Sequence, residues 1–151
     1  MLEALGTALE RRGEAYGSIE SEQLSMGWPL LEAPVWTASL ADVLARQRAA
    51  GRERFVLAAT TEDAAQLDAV VAAAAAERVL VVALAAPPDV VAARIDAREP
   101  DDWPGKARLI AHARELAETI PRLPGVDAVI DTTDRTPRDV AAQILALAAS
   151  R

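Results

Sequence analysis

Two uninterrupted apolar runs, Arg54-Phe-Val-Leu-Ala-Ala and Val79–Leu84, restrict the fold of this chain more than any other feature of its sequence. A strand without polar alternation needs cover on both faces, which favours a parallel sheet with helices on either side. Helical signals separate the runs. Leu2, Leu5 and Leu9 share one helical face, and that segment stops at Arg11-Arg12-Gly13, basic residues followed by a glycine. Further helices are predicted over Thr37–Ala50, across Glu62–Glu77 capped by Thr60 and Thr61, and over Asp89–Arg98, Lys106–Ile120 and Arg138–Ala149. Short strands are predicted at Ala15–Ile19 and Ala128–Asp131, and the Pro-punctuated stretch Trp28–Trp36 reads as loop. The alternation predicts a single α/β domain in three layers, with a mainly parallel sheet between helices and right-handed crossovers.

Composition narrows the function. With 151 residues, 52% of them hydrophobic, the chain has room for one domain of ordinary size and enough apolar material for its core. The absence of cysteine removes disulfides, thiolate nucleophiles and zinc-thiolate sites, and one histidine makes a transition-metal centre a poor expectation. A net charge of −7 with scattered arginines argues against nucleic acid as a partner. No apolar run approaches the ~20 residues of a membrane span, and no secretory signal opens the chain, so a cytoplasmic protein is expected. Ligands of parallel sheets bind beyond the carboxyl ends of the strands. That rule selects Glu20 and Glu22, Thr60 to Asp63, Ala85 to Pro88, and Asp131 to Thr136.

Three stretches together resemble a known family. VLVVALAAPPDVVAARIDARE (residues 79–99) is similar to the strand, A-P-P turn and R-I-x-x-R-E helix that precede the lid of small P-loop kinases. VIDTTDRTPRDV (129–140) resembles their last strand, base-binding loop and T-P-x-x-V helix start. ALERRGEAYGSIESEQLSMGWP (8–29) resembles the portion of adenylylsulfate-kinase-like and gluconate-kinase-like proteins that follows the phosphate loop, and is similar to kinase-like proteins reading I-D-x-D-x-L with W-P shortly after, here with Glu20 and Glu22 where that group mostly has aspartates. The phosphate loop itself, GxxxxGK[ST], is not in the sequence. The only lysine, Lys106 in Pro-Gly-Lys-Ala, has neither the glycine spacing nor the hydroxyl. The family's first strand and loop would precede Met1. The expectation is a translation start roughly 15–20 residues further upstream, the alternative being a descendant that has lost the loop.

The resemblance implies ATP-dependent phosphoryl transfer to a small hydroxylated acceptor with magnesium, although without the loop the chain as written is not expected to be competent. Under it, Glu20 and Glu22 position the acceptor or take its proton; otherwise they are a solvated acidic turn. Arg94 would stack on the adenine and Arg98 would meet phosphate, or both are surface residues bridged to Asp96 or Glu99. Arg108 and Arg114 would bring lid charge to the phosphoryl group, with His112 a weaker candidate as base, or all three belong to an exposed helix of mixed charge. Thr133, Arg135, Thr136 and Pro137 match the loop around the base, although Thr-Pro also caps helices for plain reasons. Asp63 reads as a magnesium-holding acid or, more safely, as a cap. Of Trp28, Trp36 and Trp103, the first two either face a substrate ring or, as such tryptophans more often do, close a loop over the core. The rival reading is a non-catalytic α/β interaction module, for which a gap in the sheet predicts a partner strand and a possible homodimer.

Overall fold

The structure is a computed structural model that describes residues 1–29 and 31–150. In chain order it contains α1 (Leu2–Arg11), β1 (Tyr16–Glu20), a single-turn α2 (Glu22–Ser25), α3 (Ala33–Ala49), β2 (Arg54–Ala58), α4 (Ala64–Ala74), β3 (Val82–Ala85), α5 (Pro88–Arg98), α6 (Lys106–Thr119), a 3-10 turn at Ile120–Arg122, β4 (Ala128–Asp131) and α7 (Pro137–Ala149). The chain divides into two compact units. The first is Met1–Val79 together with the segment from Pro137 onward, and the second is Leu80–Thr136.

In the first unit β1 and β2 pair in parallel, from Tyr16 opposite Arg54 to Glu20 opposite Ala58. Strand alternation sends successive β2 side chains to opposite faces. Phe55 and Leu57 pack into a cluster with Ile19, with Leu40 and Leu44 of α3, and with Val70 and Ala74 of α4. Val56 instead packs with Leu5 and Leu9 of α1 and with Ala141 and Leu145 of α7. Both faces of this sheet therefore carry helices, as the unbroken apolar run requires. The Leu2-Leu5-Leu9 periodicity is met by α1, in which Leu5 and Leu9 are buried.

In the second unit β3 and β4 also pair in parallel, from Val82 opposite Ala128 to Ala85 opposite Asp131. Helices α5 and α6 pack on each other. The buried apolar residues here are few, and two of them are small: Ala83, Ala92, Ile95 and Ile130.

The elements differ from the sequence expectation where a local contact overrides a pattern. All strand pairing is parallel, but the strands form two separate pairs rather than one sheet. Among the described residues no further strand joins them into one ladder. β3 starts at Val82, not Val79, because the Val81 N–H donates to the Asp127 carboxylate at 2.7 Å instead of to a strand partner. Helix α3 begins at Ala33, inside the stretch expected to be loop. Pro34 falls in its first turn, where the missing N–H costs nothing, and the Thr37 hydroxyl donates to the Ala33 carbonyl at 2.7 Å. Helix α4 is shorter than the span predicted across Glu62–Glu77. Asp63 rather than Thr60 or Thr61 caps it, accepting from the Gln66 N–H at 2.8 Å. It ends at Ala75, whose φ of +43° is left-handed, and the Arg48 guanidinium donates to the Ala74 carbonyl at that end.

Candidate functional site

The carboxyl ends of the two strand pairs carry two different arrangements. In the first unit, β1 ends on Glu20 and leads directly into α2, so Glu20 and Glu22 both lie at its end. β2 ends at Ala58, and the chain continues through Ala59 to Thr60. These five residues line a small cavity of about 110 Å³. The Thr60 hydroxyl donates to Glu22 Oε1 at 2.5 Å, joining the two loops, and the buried Ser21 donates its N–H to the Ala58 carbonyl at 2.9 Å. Glu20 accepts a long hydrogen bond from Gln23 Nε2 at 3.5 Å. The cavity thus offers two exposed carboxylates and a hydroxyl, groups suited to orienting a hydroxylated ligand through its O–H bonds.

In the second unit the loop after β4 is built by hydrogen bonds. Asp131 Oδ1 accepts from the Thr133 N–H at 2.8 Å and from the Thr133 hydroxyl at 2.5 Å, which is an Asx turn. Those bonds, and secondarily the charges of Arg135 and Arg94, hold the Asp131 carboxyl below its ordinary value of 3.8. The Thr132 hydroxyl donates to the Ala85 carbonyl at 3.0 Å, tying the loop to the end of β3. From α5, Arg94 donates to Thr132 Oγ1 at 3.1 Å, to the Thr132 carbonyl at 2.7 Å and to the Thr133 carbonyl at 3.1 Å. A guanidinium held by its N–H edge still presents its flat face, and Arg94 is exposed.

No protein-family model, curated protein or solved structure matches this chain. Its site must therefore be read from its own residues.

Of the residues selected from sequence, the structure brings Glu20 beside Glu22, and Arg94 onto Thr133. It gives others local partners. Arg98 donates from Nε to its neighbour Glu99 at 2.7 Å. Arg114 pairs with Asp89 across the α5–α6 hairpin. Arg108 and His112 are exposed on α6, Arg135 and Thr136 are exposed beyond the Asx turn, and Pro137 opens α7. Asp63 is the cap of α4. Trp36 packs against the first-unit core, and the Trp103 ring lies where a Cβ on Gly105 would come within 2.5 Å of it. Trp28, by contrast, is 96% exposed and closes nothing.

Thr132, within the selected stretch Asp131 to Thr136, anchors both Arg94 and the end of β3. One further residue lies outside every selected stretch. Lys106 is only 8% exposed, with its ammonium 2.9 Å from Asp96 and 2.7 Å from Asp101. The Asp101 hydrogen bond, then that of Asp96, holds the amine above its ordinary value. Its contacts lie five and ten residues back, on no helical period, so sequence spacing gave no signal.

Proposed function

We propose that this chain is a kinase-like α/β domain whose second unit holds the base of an adenine nucleotide and whose first unit offers a carboxylate pair to a small hydroxylated acceptor. A mainly parallel three-layer sheet of the small P-loop kinase type is part of the reading. The parallel pairing within each unit supports it.

The observation that carries the proposal is the contact of Arg94 with the 132–133 loop. The resemblance implies base contact for Arg94 and, separately, for Thr133; these lie 39 positions apart and, with Thr132, form one hydrogen-bonded unit. A fixed guanidinium face beside fixed backbone suits a planar heterocycle.

The residues do not fit the phosphates equally well. No glycine-rich loop exists in the sequence, and the only lysine is committed to Asp96 and Asp101. No group of three metal-ligating side chains converges among the described residues. Magnesium in phosphoryl transfer is commonly held by one or two carboxylates plus the phosphates, a role that Glu20 and Glu22 suit chemically.

With the base alone contributing, the nucleotide should bind with a dissociation constant on the order of millimolar. The test is calorimetric titration with Mg·ATP of the wild type, Arg94→Ala and Arg94→Lys. Binding by the wild type alone supports the reading, since lysine restores the charge but not the fork or the flat face. Equal affinity in all three contradicts it.

A second reading, an interaction module, is favoured by one feature. β2 residues Phe55 to Ala58 are only half-buried, and Leu84 and Val129 are exposed on two-stranded sheets. Apolar strands with an unpaired edge invite another strand. Sedimentation at rising concentration would then show dimer formation, and a constant monomer mass would dismiss it.

A further inference from the structure

We infer that Asp131 makes this site selective for a heterocycle bearing an exocyclic amine, an inference that rests on the base-binding reading above. The Asx turn divides the two oxygens of the carboxylate between different tasks. Oδ1 is saturated, accepting both the N–H and the hydroxyl of Thr133. Among the described residues no hydrogen bond reaches Oδ2, and the side chain is exposed. The same turn fixes the carboxylate plane, because Oδ1 cannot rotate away without breaking both bonds.

Arg94, fastened to the two residues that follow Asp131, supplies the adjoining flat surface. A ring stacked on that guanidinium therefore presents its edge to a single, oriented acceptor. Acceptor-only chemistry discriminates sharply. An amine donates to Oδ2, whereas a ring carbonyl at the same position turns a lone pair toward a carboxylate that stays ionised at neutral pH. Leaving a desolvated acceptor unmatched lowers affinity by about tenfold or more.

Asn at 131 inverts this logic without disturbing the turn. Its amide oxygen takes the place of Oδ1, and its NH₂ takes the place of Oδ2, so an acceptor becomes a donor. The experiment is titration of the full chain with adenosine 5′-monophosphate, inosine 5′-monophosphate and purine riboside 5′-monophosphate, followed through the Thr132 and Thr133 amide resonances. Each ligand is titrated against the wild type and Asp131→Asn.

The expected result is about a tenfold preference of the wild type for the adenosine ligand over both others, with the variant preferring inosine. Equal binding of all three ligands to the wild type overturns the selectivity while leaving base binding intact. Failure of every ligand to move these resonances overturns both. The wild-type comparison with purine riboside, which simply lacks the amine, decides the matter even if the variant does not fold.

Discussion

The two units solve the same problem, supporting a pair of short parallel strands, with different interactions. In the first, large apolar side chains from four helices cover both sheet faces, and Leu9, Leu40 and Leu44 are wholly buried. In the second, two of the four buried apolar residues are alanines, and the hairpin of α5 and α6 is held by charge: Lys106 between Asp96 and Asp101, and Arg114 on Asp89. The difference extends to the sites. The carboxylates of the first unit are exposed around a small cavity, while Asp131 of the second, also exposed, is oriented by two bonds from Thr133 to one of its oxygens. Apolar packing builds a firm body with an adaptable rim. Polar pinning builds a less deeply packed body with one preset surface.

The largest expected effect comes from the first unit. Leu44→Ala removes a fully buried side chain between α3 and the sheet and should cost about 2–5 kcal/mol, read as a lower urea midpoint. Amide exchange should accelerate most across α3, α4 and β2. A loss below about 1 kcal/mol would break the contrast from that side.

Lys106→Met should act next most strongly. It removes the α6 cation that neutralises Asp96 of α5 and Asp101 of the following turn, so exchange and proteolysis should rise over residues 99–110 while the first unit is unchanged. One molar salt should weaken the wild-type hairpin in the same place, screening exposed carboxylates, and should leave the apolar unit alone. Uniform sensitivity to salt along the chain would contradict the division.

The pH dependence of the same cluster has a definite sign. The Lys106 amine is raised in the folded state, so its contribution is complete below its ordinary 10.5 and fades as pH climbs through the raised value. Asp101 is lowered by its bond to Lys106, so its contribution is complete above its ordinary 3.8 and fades as pH falls through the lowered value. Hairpin protection measured by hydrogen exchange should therefore stay flat between those limits and decline outside both. A step near neutral pH would show that another group governs it.

The smallest effect is a gain. Ala75→Gly relieves a left-handed backbone at the end of α4 and should stabilise the first unit by about 1 kcal/mol, seen as a higher melting temperature.

The same contrast explains what was legible in the sequence. Periodic apolar residues announce α1, and the unbroken runs announce β2 and β3 and the parallel sense of their pairing with β1 and β4, because burial imposes a repeat. Capping was legible in part: Asp63 reads as a cap from sequence, but so do its neighbours Thr60 and Thr61, and only the extended backbone at 63 separates them. Pro34 signals a break by composition, yet a first-turn proline is equally compatible with a helix. The Lys106 cluster and the Arg94 clamp were hidden, since each joins residues at separations that no secondary-structure period generates. Even so, Asp131-x-Thr133 carries the spacing of an Asx turn. Glu20 and Glu22 were visible as a pair, while their partner Thr60 arrives only when β1 and β2 are laid side by side.

The most direct test is a ¹H–¹⁵N spectrum of the full chain recorded with increasing adenosine 5′-monophosphate. Shifts should concentrate at Thr132, Thr133 and the Arg94 side chain and saturate in the millimolar range, while the core amides of the first unit stay still. Shifts confined to the first unit, or an unchanged spectrum at tens of millimolar ligand, would contradict the assignment of the second unit as the base-binding body.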